Sequence, residues 1–265
     1  MSTTVVIAER MNGPPDSGNG GYVCGAMAGL LDVAAGTAVQ ATLRQPPPLG
    51  RPLQAEVHAD GRRVTLHDGG TLVGEAFVAE PETADGTPTP ITLDDARAIA
   101  DGFDTAGYVA RHPFPACFTC GPDRTGAGDD GLRIFPGASG PHLVAWPWTP
   151  DAALVASDGL VDAVYVWAAL DCPSGLCWFH DEPDAGPHVL GRMSASVQRR
   201  PAPGEPLVVA GWTIATEGRK RRTGSIVWDA GGTPIATNLS TWIALDARTA
   251  TTFRPATPTP DQPDV

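Results

Sequence analysis

Residues 159–171, GLVDAVYVWAALD, are apolar at almost every position and leave no polar face. A helix that is apolar all round is a buried helix. A second stretch of this kind, 21–32 (GYVCGAMAGLLD), lies early in the chain, and its small residues Gly25, Ala28 and Gly29 recur at helical spacing, which would let a sheet approach its backbone. Around the two helices the pattern changes to short β-branched and alternating runs. TTVVIAE (3–9) precedes the first helix, and AVQATLRQ, PLQAEVHAD, RRVTLHD and TLVGEAFVAE follow it, separated by PPPLGR, DG and GG turns. In the second half LRIFPG and HLVAWPW precede the helix, and RMSASVQRR, PLVVAGWTIAT, GSIVWDA and TPIATNLSTWIAL follow it.

The two halves match in register. Gly50-Arg51-Pro52-Leu53 matches Gly204-Glu205-Pro206-Leu207 at an offset of 154, and Gly69-Gly70-Thr71 matches Gly231-Gly232-Thr233 at 162. At the helices, Asn19-Gly20 matches Asp158-Gly159 and Leu31-Asp32 matches Leu170-Asp171, both at 139. An internal duplication follows, with the offset changing where loops differ in length. The expected organisation is α+β: a first half over 1–80, a connecting segment over 81–131, a second half over 132–246 and a Pro-rich tail over 247–265 without a packing face, expected to be disordered. Within the connecting segment, TLDDARAIADGF reads as a short surface helix with Thr92 as N-cap and Asp94 and Asp95 in its first turn. HPFPACFTCGPDRTGAGDDG reads as irregular.

Composition narrows the function classes. A net charge of −12 over 265 residues argues against non-specific nucleic-acid binding, which needs clustered cations. No run approaches the roughly 20 apolar residues that span a bilayer, and no signal peptide is read at the N-terminus, so a soluble, cytoplasmic protein is expected. Five cysteines, Cys24, Cys117, Cys120, Cys172 and Cys177, do not suggest a disulfide framework. Cys117-x-x-Cys120 has only His112 near it in sequence, short of four zinc ligands, and Cys172 and Cys177 could join only in space, so no metal and no cofactor are expected. No nucleophile elbow, Walker A loop or dinucleotide fingerprint is present.

One strand, a buried helix and then four antiparallel strands, twice in one chain, resembles the double-hotdog acyl-CoA thioesterases, and in particular the bacterial type II enzymes. The marks are Asn19-Gly20-Gly21-Tyr22 leading into the first helix, the turn RQPPPLGRPL with its echo RRPAPGEPL, and a second helix ending in Leu170-Asp171. The resemblance implies two tandem hotdog folds, each an antiparallel sheet wrapped around a long helix, and thioester hydrolysis. It implies that Asp171 matches the family's catalytic Asp, while the family's glutamine would fall near Ser240, where this chain has none. CFTCG also resembles a cysteine motif ahead of some single-hotdog domains.

Thioester hydrolysis needs a positioned water and donors aimed at the oxygen that becomes negative. The unpaired amides of a helix start supply such donors, and Asn19, Gly20 and Gly21 fit that part. Asp171, twelve positions beyond Gly159, would sit on the order of 18 Å from its own helix start. Antiparallel central helices would instead bring it to the start of the first, giving a composite site of Asn19 and Asp171, with Gly20, Gly21, Tyr22 and Ser240 on the substrate wall. Asp32 would then face Asp158 in a vestigial counterpart. Coenzyme A phosphates would meet the basic run Arg219-Lys220-Arg221-Arg222, or Arg199 and Arg200. The expected partner is an acyl-CoA, with no nucleic acid or membrane and with room for a homodimer of such chains; a non-catalytic acyl-CoA or lipid-binding protein is the rival reading.

Overall fold

In the computed structural model, residues 2–83, 86–124 and 131–246 are described; the tail expected over 247–265 lies outside them. Among these residues the strands form one antiparallel sheet of eleven, in the order β1-β3-β4-β5-β2-β8-β11-β10-β9-β7-β6. β1 is Ser2–Val6, β2 Val39–Leu43, β3 Pro52–Val57, β4 Arg63–Asp68 and β5 Thr71–Val78. On the far side lie β6 Gly137–Gly140, β7 Leu143–Trp148, β8 His188–Val197, β9 Leu207–Glu217, β10 Lys220–Asp229 and β11 Pro234–Ala244. The seam is β2 against β8, from Val39 opposite Ala195 to Thr42 opposite Arg192. LRIFPG, expected as strand, is not one. Leu132 and Ile134 instead donate to the carbonyls of Phe118 and Thr119, which ties the cysteine-bearing turn to the segment leading into β6.

The strand order reads alike from both edges once β6 is set aside, and so do the details. A 3-10 turn at Glu9–Met11 recurs at Ala152–Leu154, and the bridge Asn12–Gly18 recurs as Val155–Val161, each 143 positions on. Gly50, at φ +67°, donates to Ile7 O, and Gly204, at φ +78°, donates to Pro150 O. Both glycines hold a left-handed conformation that an L side chain strains to reach.

Both central helices depart from their expected bounds. α1 is Gly20–Ala28, nine residues, and does not reach Asp32. After Gly29, Leu30 and Leu31 donate to Met27 O and Ala28 O, so the last turn tightens and the helix stops. The second central helix starts at Ala163, not Gly159. Gly159 sits at φ +86°, Asp158 pairs with Arg200, and Asp162 is the N-cap, accepting from Val164 N–H at 3.1 Å. Two short helices lie between: α2, Leu93–Asp101, is capped by Thr92, whose hydroxyl accepts from Asp95 N–H, and α3, Thr105–Arg111, is capped by Asp104. α3 falls just before the stretch read as irregular, and its seven residues carry too little periodicity to announce it. The second central helix, α4, runs Ala163–Leu176, fourteen residues, and passes through Pro173.

α1 crosses α4 closely, through its glycines. A methyl at Gly21 would lie 2.6 Å from Asp171 Cβ and 2.6 Å from the Trp167 carbonyl oxygen, and one at Gly25 would lie 2.8 Å from Trp167 Cβ. Rising numbers on α1 meet falling numbers on α4, so the two helices run antiparallel. Their apolar faces fill a single core with Val23, Met27, Val166, Trp167 and Leu170, closed by the inward residues of both sheet halves.

Candidate active site

Asp171 is the ninth residue of α4, not its end, and its side chain is 2 % exposed. The crossing sets it against the start of α1, where Gly21 N–H donates to its Oδ2 at 2.9 Å. Oδ1 has no hydrogen-bond partner among the described residues. Burial raises the carboxyl to about 7, with the Gly21 N–H and the Asn19 amide acting in the opposite sense.

Asn19 caps α1. Its Oδ1 accepts from Tyr22 N–H at 2.9 Å, and its Nδ2 points to two sulfurs, Cys117 Sγ at 3.7 Å and Cys172 Sγ at 4.0 Å. The amides of the helix start are therefore unequal. Gly21 N–H is taken by Asp171, Tyr22 N–H by Asn19 and Val23 N–H by Asn19 O, while Gly20 N–H has no partner among the described residues. A cavity of about 1090 Å³ opens beside them, and Asn19, Gly20, His112, Cys117, Asp171 and Cys172 are all on its wall. His112 follows α3 and accepts from Phe114 N–H on Nδ1 at 3.1 Å, so its proton sits on Nε2, which is buried and has no partner among the described residues. Burial lowers this imidazole to about 4, keeping it neutral.

Asp171 and Asn19-Gly20-Gly21, expected on one site, are brought together by the helix crossing. The other assignments land elsewhere. Gly21 faces Asp171, not the cavity, and Tyr22 packs on Tyr165 and Phe118 at ring distances of 5.9 and 6.2 Å. Ser240 lies under α4, bonded to Asn238, which also donates to Ser225 Oγ; Ser225 in turn donates to Leu170 O. Arg199 is engaged by Glu205 and Asp229, and Arg200 by Asp158, none of them lining the cavity. Arg221, expected in the basic run that meets the carrier phosphates, is buried between a bidentate bond to Glu182 and the ring of Trp178. Arg44 and Arg111 are the cations on the cavity wall.

The vestigial pairing of Asp32 with Asp158 also fails. Asp32 is exposed beyond the end of α1, and Asp158 precedes α4. Counted from the N-caps Asn19 and Asp162, the position equivalent to Asp171 is Ala28. Cys172, which the sequence leaves able to join Cys117 only in space, is carried there by the Asp171 turn of α4, at 3.6 Å between sulfurs. Its place directly after Asp171 in an apolar helix was the available signal.

No protein-family model matches the chain, and no curated protein matches it in sequence. Solved structures do match over most of its length. The tesB protein of Mycobacterium avium subsp. paratuberculosis aligns at a TM-score of 0.58 and 14 % identity, covering 91 % of this chain and 92 % of its own. An acyl-CoA thioesterase II of Mycobacterium marinum aligns at 0.55 and 13 %, covering 92 % and 93 %. A protein of unknown function with a hot dog fold from Alicyclobacillus acidocaldarius aligns at 0.57 and 13 %, covering 91 % and 92 %. The chain has the hotdog fold. In this hotdog sheet the cavity lies where the start of α1, the middle of α4 and the C-x-x-C turn converge, and one buried carboxylate oxygen is left there without a partner among the described residues.

Proposed function

We propose that the chain is two tandem hotdog halves, 1–80 and 132–246, joined by a segment that supplies part of the site, and that it hydrolyses an acyl-CoA thioester in the cavity beside Asp171. The observation that carries the reading is the contact of Asp171 with Gly21 N–H, which sets a carboxylate of one half at the helix start of the other. Recurrence of turns, bridges and caps at an offset of 143 supports the tandem arrangement. In the reaction the thioester carbonyl oxygen takes the Gly20 N–H, backed by the positive end of the α1 dipole. His112 Nε2–H is a second donor on the same wall. Asp171 Oδ1 accepts a hydrogen bond from the attacking water and orients it. The water oxygen bonds to the carbonyl carbon, the carbon–sulfur bond breaks, and the proton released by the water goes to the leaving thiolate. Arg44 and Arg111, in place of Arg199 and Arg200, meet the phosphates of the carrier.

The test is steady-state hydrolysis over a panel of acyl-CoA chain lengths with wild type and Asp171→Asn. The amide keeps the shape and an acceptor for Gly21 N–H, so the fold survives, while kcat falls by about 10²–10⁴. No turnover of any chain length by wild type, or equal turnover by the variant, rejects the reading. Binding of acyl-CoA without turnover would establish the non-catalytic alternative in its place.

A further inference from the structure

Three thiols meet in the wall of the cavity. The sulfurs of Cys117, Cys120 and Cys172 all lie within 4.8 Å of one another, and the pair Cys117–Cys172 stands at 3.6 Å. All three residues are buried. They come from two unrelated places in the chain: a C-x-x-C-G turn and the middle of α4. The turn is wound tightly, with Gly121 N–H donating to Cys117 O at 2.8 Å. A methyl at Gly121 would sit 2.4 Å from Cys117 N and 2.5 Å from Pro115 O, so only glycine closes it. The turn is then docked on α4 by Thr119, whose hydroxyl donates to Ala168 O at 3.0 Å, and on the first half by Phe118 N–H, which donates to Asn12 O at 2.7 Å.

Ordinary packing gives no reason for this convergence. Thiols are weak donors and weak acceptors, so three of them in contact gain little from one another that apolar side chains would not supply. Nor is the spacing that of a disulfide, whose sulfurs bond at about 2.05 Å. The Cys117–Cys172 separation of 3.6 Å is close to that of a tetrahedral centre, where bonds of about 2.3 Å from sulfur to zinc place the sulfurs about 3.8 Å apart. The Asn19 amide supplies the supporting feature. Its Nδ2 faces Cys117 and Cys172 together, as a donor does that stabilises metal-bound thiolates.

We propose that Cys117, Cys120 and Cys172 bind one zinc ion as thiolates, with the fourth coordination position turned to the cavity and filled by solvent. His112 is not the fourth ligand. Its Nδ1 accepts a backbone hydrogen bond, which leaves the proton on Nε2 and no lone pair there to coordinate. All three cysteines line the cavity, so the fourth position is reached from it. Binding displaces the thiol protons to solvent and fastens the turn, α4 and the cap of α1 to one point. The metal site does not depend on thioester hydrolysis, and its test needs no substrate.

The experiment uses the full chain, purified without chelator and freed of any histidine tag. Elemental analysis is expected to give one zinc per chain, and replacement by cobalt(II) is expected to give thiolate-to-cobalt charge transfer in the near ultraviolet with intense tetrahedral d–d bands. Cys120→Ser and Cys172→Ser lose the zinc, while Cys24→Ser and Cys177→Ser, at cysteines outside the cluster, keep it. Far-ultraviolet circular dichroism checks that each variant is folded. If the cluster variants do not fold, the wild-type measurements decide. A wild-type chain that holds no zinc after refolding with the metal, full zinc content in a folded Cys172→Ser, or an intact mass short by two hydrogens from a Cys117–Cys172 disulfide overturns the proposal.

Discussion

Replacing Gly21 by alanine tests the helix crossing on which the site depends. The added methyl meets the Trp167 carbonyl oxygen at 2.6 Å and Asp171 Cβ at 2.6 Å, neither the flexible end of a side chain. Non-bonded carbons rest at about 3.5–4.0 Å, so α1 and α4 must part by close to 1 Å. Overpacking of this kind costs about 1–3 kcal/mol, against a gain of about 1 kcal/mol from helix propensity when glycine becomes alanine. The net loss is about 0–2 kcal/mol. The contact from Gly21 N–H to Asp171 Oδ2, now 2.9 Å, would at the same time stretch past hydrogen-bonding range. Gly29→Ala is the matched control, because its methyl would meet nothing nearer than the Gly25 carbonyl oxygen at 3.4 Å. Urea denaturation of both variants, read as a shift in midpoint at constant slope, measures the difference. If Gly21→Ala is as stable as Gly29→Ala, the close crossing inferred for α1 and α4 is wrong.

The polar contacts around α4 give further expectations. Ser174→Ala removes the acceptor of Trp242 Nε1–H, now at 3.0 Å, and leaves a buried donor unpaired, at a cost of about 1–3 kcal/mol in a denaturation curve. Ser225→Ala should cost a similar amount, since Leu170 O and the Asn238 amide both lose a partner; a variant of unchanged stability would show that the network under α4 is dispensable. Hydrogen bonds from Arg221 hold the Glu182 carboxyl below its usual range. A carboxyl depressed in the folded state adds stability above its unfolded value of about 4.3, and that stability is lost as pH falls through the folded value. Thermal melts of Glu182→Gln against wild type should therefore differ at neutral pH and converge in acid; a gap that persists at low pH refutes the assignment.

Much of the fold was legible because two apolar helices set among alternating runs leave few architectures, and because the glycine turns at Gly50 and Gly204 recur in the same setting. The helix bounds were not legible, for local reasons. Gly159 resembles a helix start in sequence, but its positive φ and the Asp158–Arg200 pair place it in the approach, and the cap falls to Asp162. Pro173 reads as a helix end because it lacks an N–H, yet α4 continues. Hydroxyls from Thr119, Ser225 and Ser174 donate to the carbonyls of Ala168, Leu170 and Asp171 around it. The adjacency of Asp171 to the start of α1 could be reasoned from antiparallel pairing alone. The arrival of Cys172 beside Cys117 could not, because it depends on how a turn more than fifty residues earlier docks on α4.

The recurrence at 143 positions has a consequence for how such a site can change. Where two identical subunits assemble about a two-fold axis, each substitution appears twice, so a carboxylate placed on one central helix is obliged to appear on the other. Here the equivalent of Asp171 is Ala28, a small residue in apolar surroundings, and the equivalent of Cys172 is Gly29. Within one chain the two central helices are free to differ: α4 holds the ionisable group, and α1 contributes only backbone amides and the glycines that let it come near.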